Sequence, residues 1–327
     1  MTIDKTTDNA TGVKLTTVAT FPEQFFVENL AVRRDGSILV TVLNRQELWY
    51  VQAPGADLPV DPVLMHTFDH RPMGIVEAEP DVFYVNTMGQ ATLERVDMRN
   101  WIAGTPTNTT TVLTFDDPWA ALNGSCLIAP RTILVADSLG QIWRVDLGDD
   151  GLTATARVWL KHDTMALDPD NPLNPQPGVN GLGYASRANF LYYTSTTQKL
   201  FMRVAVDPAT NEAVGEPEFV AGGTMADDFC IDENAGVAYV TTHRENTIDR
   251  VALQPVQPGA RRDVVAGEPF TEKLIGPSSA AWGRGPTDYG RVAYVTTDGG
   301  TTAPPPDGIV RPAQLLRVEF SPLAADR

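Results

Sequence analysis

The sequence Asp227-Asp-Phe-Cys-Ile-Asp-Glu-Asn-Ala-Gly-Val-Ala-Tyr-Val-Thr-Thr242 contains the pattern that decides the fold. A short apolar segment behind polar residues is followed by a polar turn and a run of β-branched and aromatic residues, which is typical of paired strands. The same pattern occurs in five other places, whose first segments begin at Glu28, Met73, Asn123, Asn180 and Ser278. A third alternating run and a fourth, less regular stretch complete each unit. Units repeated every ~40 to 50 residues predict a β-propeller.

We predict an all-β chain that forms a six-bladed β-propeller with four antiparallel strands per blade. Residues Val13–Phe21 precede the first full unit, and we expect this N-terminal strand to join the last blade and close the ring. The predicted organisation is a flexible N-terminus at 1–12, a single propeller at 13–321 and a C-terminal tail at 322–327. A β-sandwich or two smaller barrels would be the alternative, but separate domains would not repeat one inner-strand signature.

The composition limits the possible partners. The chain has 25 Lys and Arg against 41 Asp and Glu, a net charge of −16, which argues against nucleic-acid binding. No stretch approaches the roughly 18 apolar residues of a membrane span, and the given chain has no signal-peptide pattern. Two cysteines are too few for a disulfide scaffold. We therefore expect a cytoplasmic protein without a membrane span, either a monomer or a weak homodimer.

Oxygen-bearing side chains recur at the first position of the inner segments. These positions converge on the axis of a propeller, and four of the six are Glu28, Asn123, Asn180 and Asp227. Such a set suits Ca²⁺ or another hard divalent cation, whereas zinc would require His or Cys. Alternatively, the two Asn-Gly pairs are turns that precede strands, and the two carboxylates are solvated.

Four segments carry a family resemblance. Glu28-Asn-Leu-Ala-Val, Asn123-Gly, Val179-Asn-Gly-Leu182 and Asp227-Asp-Phe-Cys-Ile-Asp232 resemble the gluconolactonase/regucalcin (senescence marker protein) family of six-bladed propellers, across residues 13–320. The resemblance implies that the four axial residues hold a catalytic divalent cation, commonly Ca²⁺, with no organic cofactor. It also implies that Asp227 can act as a general base. Asp228 replaces a Gly that often follows this Asp, and we count it as a second candidate catalytic carboxylate.

The closing segment Ser278-Ser-Ala-Ala-Trp-Gly-Arg284 resembles fungal members of this family. Some of those act in secondary metabolism, including hetero-Diels–Alder cyclases of tropolone sesquiterpenoid biosynthesis, which implies a small apolar polyketide or terpenoid substrate. Residues beside the axial positions would then line an apolar pocket. The predicted lining residues are Phe26, Met73, Trp119, Met165, Phe229, Ser278, Trp282 and His66. The alternative is that the large apolar ones belong to the core between blades.

Histidines and two long connections give weaker signals. His66 lies just ahead of the second unit, where it either reaches the mouth as a general base or lies in a surface loop. His243 lies in an intra-blade hairpin, and we expect it to be exposed. Lys161–Pro177 and Gly299–Pro312 are rich in Pro and polar residues, so each is either a lid near the mouth or a surface excursion.

Two functions follow from the residues and the resemblance together. The first is a biosynthetic enzyme that holds an apolar intermediate and promotes its cyclisation by a hetero-Diels–Alder-type cycloaddition, with or without dehydration. The alternative is a Ca²⁺-dependent lactonase or esterase, in which the cation polarises the carbonyl and Asp227 or a nearby His activates water. A non-catalytic scaffold is a third class of function. A calcium ion that only holds the blades together would require the same axial residues as a catalytic one.

Overall fold

Six antiparallel sheets surround a common axis in the part of the chain that the computed structural model describes, residues 7–8, 12–171, 176–255 and 262–321. Five sheets have four strands and one has five, so the predicted six-bladed propeller with four strands per blade is confirmed. The first strands of consecutive blades contact one another, and those of the last and first blades also touch, which closes the ring. Within these described ranges, no helix is long and apolar enough to cross a membrane.

Blades 1 to 3 each run from an inner strand at the axis to an outer strand at the rim. Blade 1 contains β3 (Val27–Val32), β4 (Ile38–Val42), β5 (Glu47–Val51) and β6 (Val63–Thr67). Blade 2 contains β7 (Arg71–Glu79), β8 (Val82–Met88), β9 (Thr92–Asp97) and β10 (Asn108–Thr114). Blade 3 contains β11 (Leu122–Ala129), β12 (Thr132–Asp137), β13 (Gln141–Leu147) and β14 (Ala154–Lys161). Two 3-10 turns, Leu43–Arg45 and Asp163–Met165, are the helical segments of the described chain.

Blades 4 to 6 continue the same order. Blade 4 contains β15 (Val179–Ala185), β16 (Phe190–Ser195), β17 (Leu200–Val206) and β18 (Ala213–Gly222). Blade 5 contains β19 (Phe229–Asp232), β20 (Val237–Thr242), β21 (Thr247–Ala252) and β22 (Asp263–Gly267). Blade 6 contains β23 (Pro277–Trp282), β24 (Val292–Thr297), β25 (Pro312–Phe320), β2 (Val13–Glu23) and β1 (Thr7–Asp8).

The sixth sheet joins the two ends of the described chain. β2 pairs with β25 from Val13 opposite Phe320 to Glu23 opposite Pro312. Thr7–Asp8 pairs in turn with β2, at the edge of this sheet. The remaining residues of the predicted flexible N-terminus, apart from Gly12, lie outside the described ranges, as does the predicted tail at 322–327.

The burial of the strands differs between the inner and the outer positions of the blades. Every residue of β3 and β4 is buried, and apart from Glu28, Asn29 and Thr41 their residues are apolar because neighbouring blades cover both faces. The outer strand β10 is mostly exposed and correspondingly rich in Thr. The core lies between blades, where Leu134 of blade 3 packs with Val179 and Leu182 of blade 4. Each fully buried Leu or Val contributes roughly 1.5–3 kcal/mol.

Glycines allow the inner strands to converge at the axis. A Cβ on Gly74 would lie 2.6 Å from the carbonyl oxygen of Asn123, and one on Gly124 would lie 2.7 Å from that of Asn180. Both contacts are shorter than real Cβ atoms make, so only glycine fits. The Asn-Gly pairs therefore lie inside β11 and β15, where they start inner strands and are not turns.

Candidate functional site

The inner strands begin in a ring around the axis, and this ring forms one mouth of the axial channel. Glu28, Asn123, Asn180 and Asp227 are all buried there, each less than one tenth exposed. Asn180 Nδ2 donates to Asp227 Oδ1 at 2.7 Å and to Thr196 Oγ1 at 2.9 Å. Asn123 Nδ2 donates to Ser138 Oγ at 3.2 Å. Both amide nitrogens are thus engaged, which leaves the amide oxygens as the atoms available to a ligand.

Both carboxyl groups of this ring have raised pKa values. Burial and the neighbouring charge of Asp227 raise the pKa of Glu28 well above its usual value. Burial also raises the pKa of Asp227 to about 7, although the positive charge of His243 opposes this shift. With a pKa near neutrality, Asp227 can both give and take a proton under physiological conditions.

His243 is buried at the mouth, and the expectation that it is exposed is wrong. Its side chain comes from the hairpin between β20 and β21, and only 9% of the residue is accessible. Its ring stacks on Phe26, with centroids 5.2 Å apart, and Nε2 lies 3.1 Å from Asp298 Oδ2. The Nε2–H is not aligned for a hydrogen bond with any described residue. Among the residues described, its partner is the Asp298 carboxylate, with which it forms an ion pair.

The charge of His243 follows from its neighbours. Burial alone would lower the pKa of His243, but Asp298, Asp227 and Glu28 together raise it to about 9. Burial opposes the ionisation of Asp298, yet His243 and the backbone N–H groups of Gly300 and Thr302 hold the pKa of Asp298 below its usual value. An imidazolium and a carboxylate therefore persist at neutral pH. We call Glu28, Asp227, His243 and Asp298 the axial cluster.

His243 and Asp298 were missed by sequence reasoning, although a signal was present. Each directly follows an identical run, Val-Ala-Tyr-Val-Thr-Thr, which forms β20 in blade 5 and β24 in blade 6. In blades 3 and 4, the residues after the second strands are Ser138 and Thr196, which accept the amide hydrogen bonds of the axial Asn residues. In blades 3 to 6, the residue after the second strand thus belongs to a second ring around the mouth.

Asp228, the other candidate catalytic carboxylate, is held inside the channel wall. Its Oδ2 accepts hydrogen bonds from Asn29 Nδ2 at 3.0 Å and from Ser279 Oγ at 2.8 Å. A Cβ on Gly181 would lie 2.6 Å from its Oδ1, so the carboxylate occupies the space that this glycine leaves. Burial raises the pKa of Asp228 to about 6, against the Ser279 bond. Asp228 therefore links blade 5 to blades 6 and 1.

Only part of the predicted pocket lining lies at the axial cluster. Phe26 contacts His243 directly. Met73 and Ser278 occupy their axial positions but are buried, and Ser278 Oγ donates to the carbonyl oxygen of Val27 at 2.7 Å. Trp119 is 79% exposed on the connection that leads into β11.

The structure places the other predicted lining residues elsewhere. Met165 is fully buried in the core between blades 3 and 4, and Phe229 packs in the core between blades 4 and 5. Trp282 ends β23, away from the mouth, and donates its indole N–H to the carbonyl oxygen of Ile231. His66 lies on the outer strand β6, in a polar cavity of about 410 Å³ between blades 1 and 2, where it contacts Thr109.

The two long connections are both fastened on the mouth side. Gly299–Pro312 begins at Asp298, whose Oδ1 accepts the Gly300 N–H at 2.8 Å. In the connection before blade 4, Asn171 Nδ2 donates to the carbonyl oxygen of Thr197, in the turn after β16. Residues 172–175 of the predicted lid Lys161–Pro177 lie outside the described ranges.

The donor set at the mouth fits a hard cation. Among the described residues, no three His, Cys, Asp or Glu side chains converge as a ready-made metal site. Two of the four predicted ligands are amides, however, and Glu28 and Asp227 are buried carboxylates without enough positive charge around them. When ionised, the three carboxylates and one imidazolium of the axial cluster carry a net charge of −2. Glu28, Asn123, Asn180 and Asp227 would hold Ca²⁺ there through oxygen atoms.

Comparison with known proteins shows the fold alone. No family model matches the chain, and no curated protein matches it. A luciferin-regenerating enzyme is similar at a TM-score of 0.67 and 13% identity, over 95% of this chain and 96% of that one. A protein described as a gluconolactonase gives 0.59 and 15%, over 94% and 92%. Regucalcin of Agrobacterium tumefaciens, a calcium-binding protein, gives 0.61 and 13%, over 94% and 97%.

These comparisons and the site define the class. The chain is a six-bladed propeller that shares its fold with gluconolactonase- and regucalcin-like proteins, some of which are named as enzymes, and it carries a buried polar cluster at one mouth. Identities of 13 to 15% carry no activity across to this chain. None of these three structures is a secondary-metabolism cyclase, so that part of the resemblance stays a prediction.

Proposed function

We propose that the axial cluster is the active centre of an enzyme that removes water from a small apolar polyketide or terpenoid intermediate and promotes its ring closure. One observation carries this proposal: Glu28, Asp227 and His243 are buried together at the mouth, where burial and mutual charge raise the pKa of Asp227 to about 7 and that of His243 to about 9. Loss of a hydroxyl group as water requires a proton donor at the leaving oxygen. A cluster of this kind supplies one inside a site that excludes solvent.

Each residue of the cluster has a distinct task in such a reaction. His243, stacked on Phe26 and ion-paired with Asp298, gives its Nε2 proton to the leaving hydroxyl or polarises a carbonyl oxygen. The C–O bond breaks, the hydroxyl departs as water with the donated proton, and a carboxylate of the cluster takes a proton from the substrate. The conjugated product, a quinone methide for a phenolic substrate, then closes a ring by forming a C–C and a C–O bond without further proton transfer.

A calcium-dependent lactonase is the second candidate, and a separate observation favours it. When its three carboxyl groups are ionised, the axial cluster has a net charge of −2, and with the four oxygen-bearing side chains this charge would suit a divalent cation. A cation bound there would polarise the carbonyl of a lactone. Asp227, with a pKa of about 7, would take a proton from the attacking water.

A model reaction tests the first proposal without the natural substrate. An ortho-hydroxybenzyl alcohol and dihydropyran are incubated with the protein, and chiral chromatography measures the chroman formed by dehydration and cycloaddition. We expect a rate above background and an excess of one enantiomer, and Asp227→Asn should lower the rate by about 100-fold or more. Asp149→Asn, at a fully exposed side chain, is the matched control. A racemic product at the background rate would contradict the proposal.

A second assay separates the two candidates. Hydrolysis of aliphatic, aromatic and sugar lactones is followed at constant pH with calcium, with chelator, and with Asp227→Asn. Calcium-dependent hydrolysis that the substitution abolishes would establish the lactonase and displace the cyclisation proposal. Under the first proposal, we expect no lactone to be opened at a rate that depends on Asp227.

A further inference from the structure

A cavity of about 230 Å³ lies at the other end of the inner strands from the axial cluster. Its lining residues are Gly183, Tyr184, Phe229, Ile231, Glu233 and Tyr289. Tyr184 follows Asn180 by four residues along β15, which corresponds to about 13 Å of strand. This far-end cavity is therefore separate from the proposed active centre, and no step proposed above uses it.

Aromatic rings form the walls, and their positions are fixed by specific contacts. The Tyr289 hydroxyl accepts the backbone N–H of Glu233 at 2.9 Å, and the Tyr184 hydroxyl donates to Asn189 Oδ1 at 3.1 Å. Phe229 packs edge-on against Phe201 with centroids 5.1 Å apart. The three rings thus hold their places without a ligand, so binding would cost little ordering of side chains.

Glycine at position 183 makes room for one of these walls. A Cβ there would lie 2.7 Å from the Phe229 ring and 3.0 Å from Ile231 Cδ1. Any larger residue would displace the ring from the side of β15. The wall of the cavity therefore depends on the glycine at position 183, which leaves space for the Phe229 ring.

A carboxylate completes the cavity. Glu233 lies among its lining residues, and its Oε2 accepts the backbone N–H of Arg187 at 2.9 Å. The Arg187 guanidinium is directed to Asn234 Oδ1 instead, at 2.5 Å, and Glu233 forms no ion pair with any residue that the structure describes. Asp232, beside it in the chain, is a second carboxylate close to this loop, within 2.6 Å of the position of a Cβ on Gly290.

We propose that the far-end cavity binds a small organic ammonium ion, with the charged nitrogen facing Glu233 and the aromatic rings of Tyr184, Phe229 and Tyr289. A cation within about 6 Å of an aromatic face is attracted to the ring, and substituted ammonium ions also bury their apolar carbon atoms against it. The carboxylate adds charge complementarity, and the net charge of −16 favours cations over anions throughout. An inorganic cation would gain nothing from the rings.

The test compares choline with its neutral isostere, 3,3-dimethyl-1-butanol. Calorimetric titration of the full chain should give saturable choline binding, at least about tenfold tighter than binding of the isostere. Glu233→Gln should weaken choline binding by about five- to tenfold and leave the isostere unchanged. Tyr289→Leu should weaken both, whereas Phe270→Leu, at a ring that is 58% exposed and outside the lining, should alter neither.

Two results would overturn the proposal. Equal affinity for choline and the isostere would show that the cavity recognises apolar volume and not charge. Loss of choline binding in Asp227→Asn, with Glu233→Gln unaffected, would place the cation at the axial cluster. Thermal melting of each variant shows whether a loss reflects unfolding, and Glu233→Gln, which keeps the size of the side chain, decides the matter if Tyr289→Leu does not fold.

Discussion

At the scale of single residues, the axial carboxylates cost the protein stability. The pKa of Asp227 is about 7 in the folded chain against an ordinary value of 3.8. Below about pH 4, both folded and unfolded chains are protonated at this residue, so nothing is lost. Between pH 4 and 7 the unfolded chain ionises while the folded chain does not, and the free energy of unfolding falls as pH rises.

Replacement of Asp227 by Asn should therefore stabilise the calcium-free protein at high pH. We expect the free energy of unfolding at pH 8 to rise by an amount on the order of a few kcal/mol, and by much less at pH 4. Urea unfolding with chelator at both pH values measures this. If the variant were no more stable than the unmodified protein at pH 8, the ionised Asp227 carboxylate would not destabilise the folded chain.

His243 should titrate well above His66. With a pKa of about 9, its imidazolium stabilises the fold below about pH 6.5, and that contribution is lost as pH rises through 9. Proton–nitrogen correlation spectra should show a charged ring at pH 7.5, and Asp298→Asn should bring its pKa down towards 6.5. His66 is the internal control, because burial lowers its pKa below 6.5. A neutral His243 at pH 7.5 would contradict this.

The sequence was informative about the axial residues for a specific reason. Glu28, Asn123, Asn180 and Asp227 each occupy the same position of a repeated unit, so symmetry alone brings them to the axis. His243 belongs to another repeated position, but its hairpin, Thr-His-Arg-Glu-Asn, is as polar as a surface turn. Its burial depends on Phe26 and Asp298 from two other blades, and such contacts between distant segments leave no local pattern.

At the scale of elements, the inner strands depend on their glycines. Gly124→Ala would place a Cβ 2.7 Å from the carbonyl oxygen of Asn180, and a backbone atom cannot move aside cheaply. We expect a loss of about 1–3 kcal/mol in the free energy of unfolding, by overpacking. Gly55→Ala is the matched control because its Cβ would meet nothing within 4 Å. Equal effects of the two substitutions in urea unfolding would disprove the account.

Side-chain direction within these strands was harder to predict than their existence. β-branched runs and turns identify the strands, but inner strands are buried on both faces, so no alternation shows which face meets the channel. Phe229 and Met165 were predicted to line a pocket at the mouth and instead pack between blades, where Phe229 also borders the far-end cavity. Trp282 lies at the end of β23 that points away from the mouth. It was predicted to line the pocket because it is close to Ser278 in sequence, but the direction of the strand carries it away.

At the scale of the whole molecule, the ring depends on the pairing of β2 with β25. Removal of residues 1–23 would expose the edge of β25 and uncover the blade 1 and blade 6 core around Val27 and Leu315. We expect the truncated protein to aggregate or to lose its single cooperative unfolding transition. Size-exclusion chromatography and urea unfolding measure both. Thr20→Ala, at an exposed residue of β2, should leave both unchanged, and a stable truncated monomer would contradict the prediction.

The pairing of β2 with β25 also determines how late in synthesis the sixth sheet can form. About 290 residues separate Glu23 from its partner Pro312, so the ribosome makes the first strand of the sheet long before the second. At elongation rates of about 5–20 residues per second, the wait is roughly 15 to 60 s. Five blades can be completed in that interval while the strand that ends at Glu23 has no partner in its own sheet. The nascent chain is therefore exposed to chaperones and proteases at β2 during this interval.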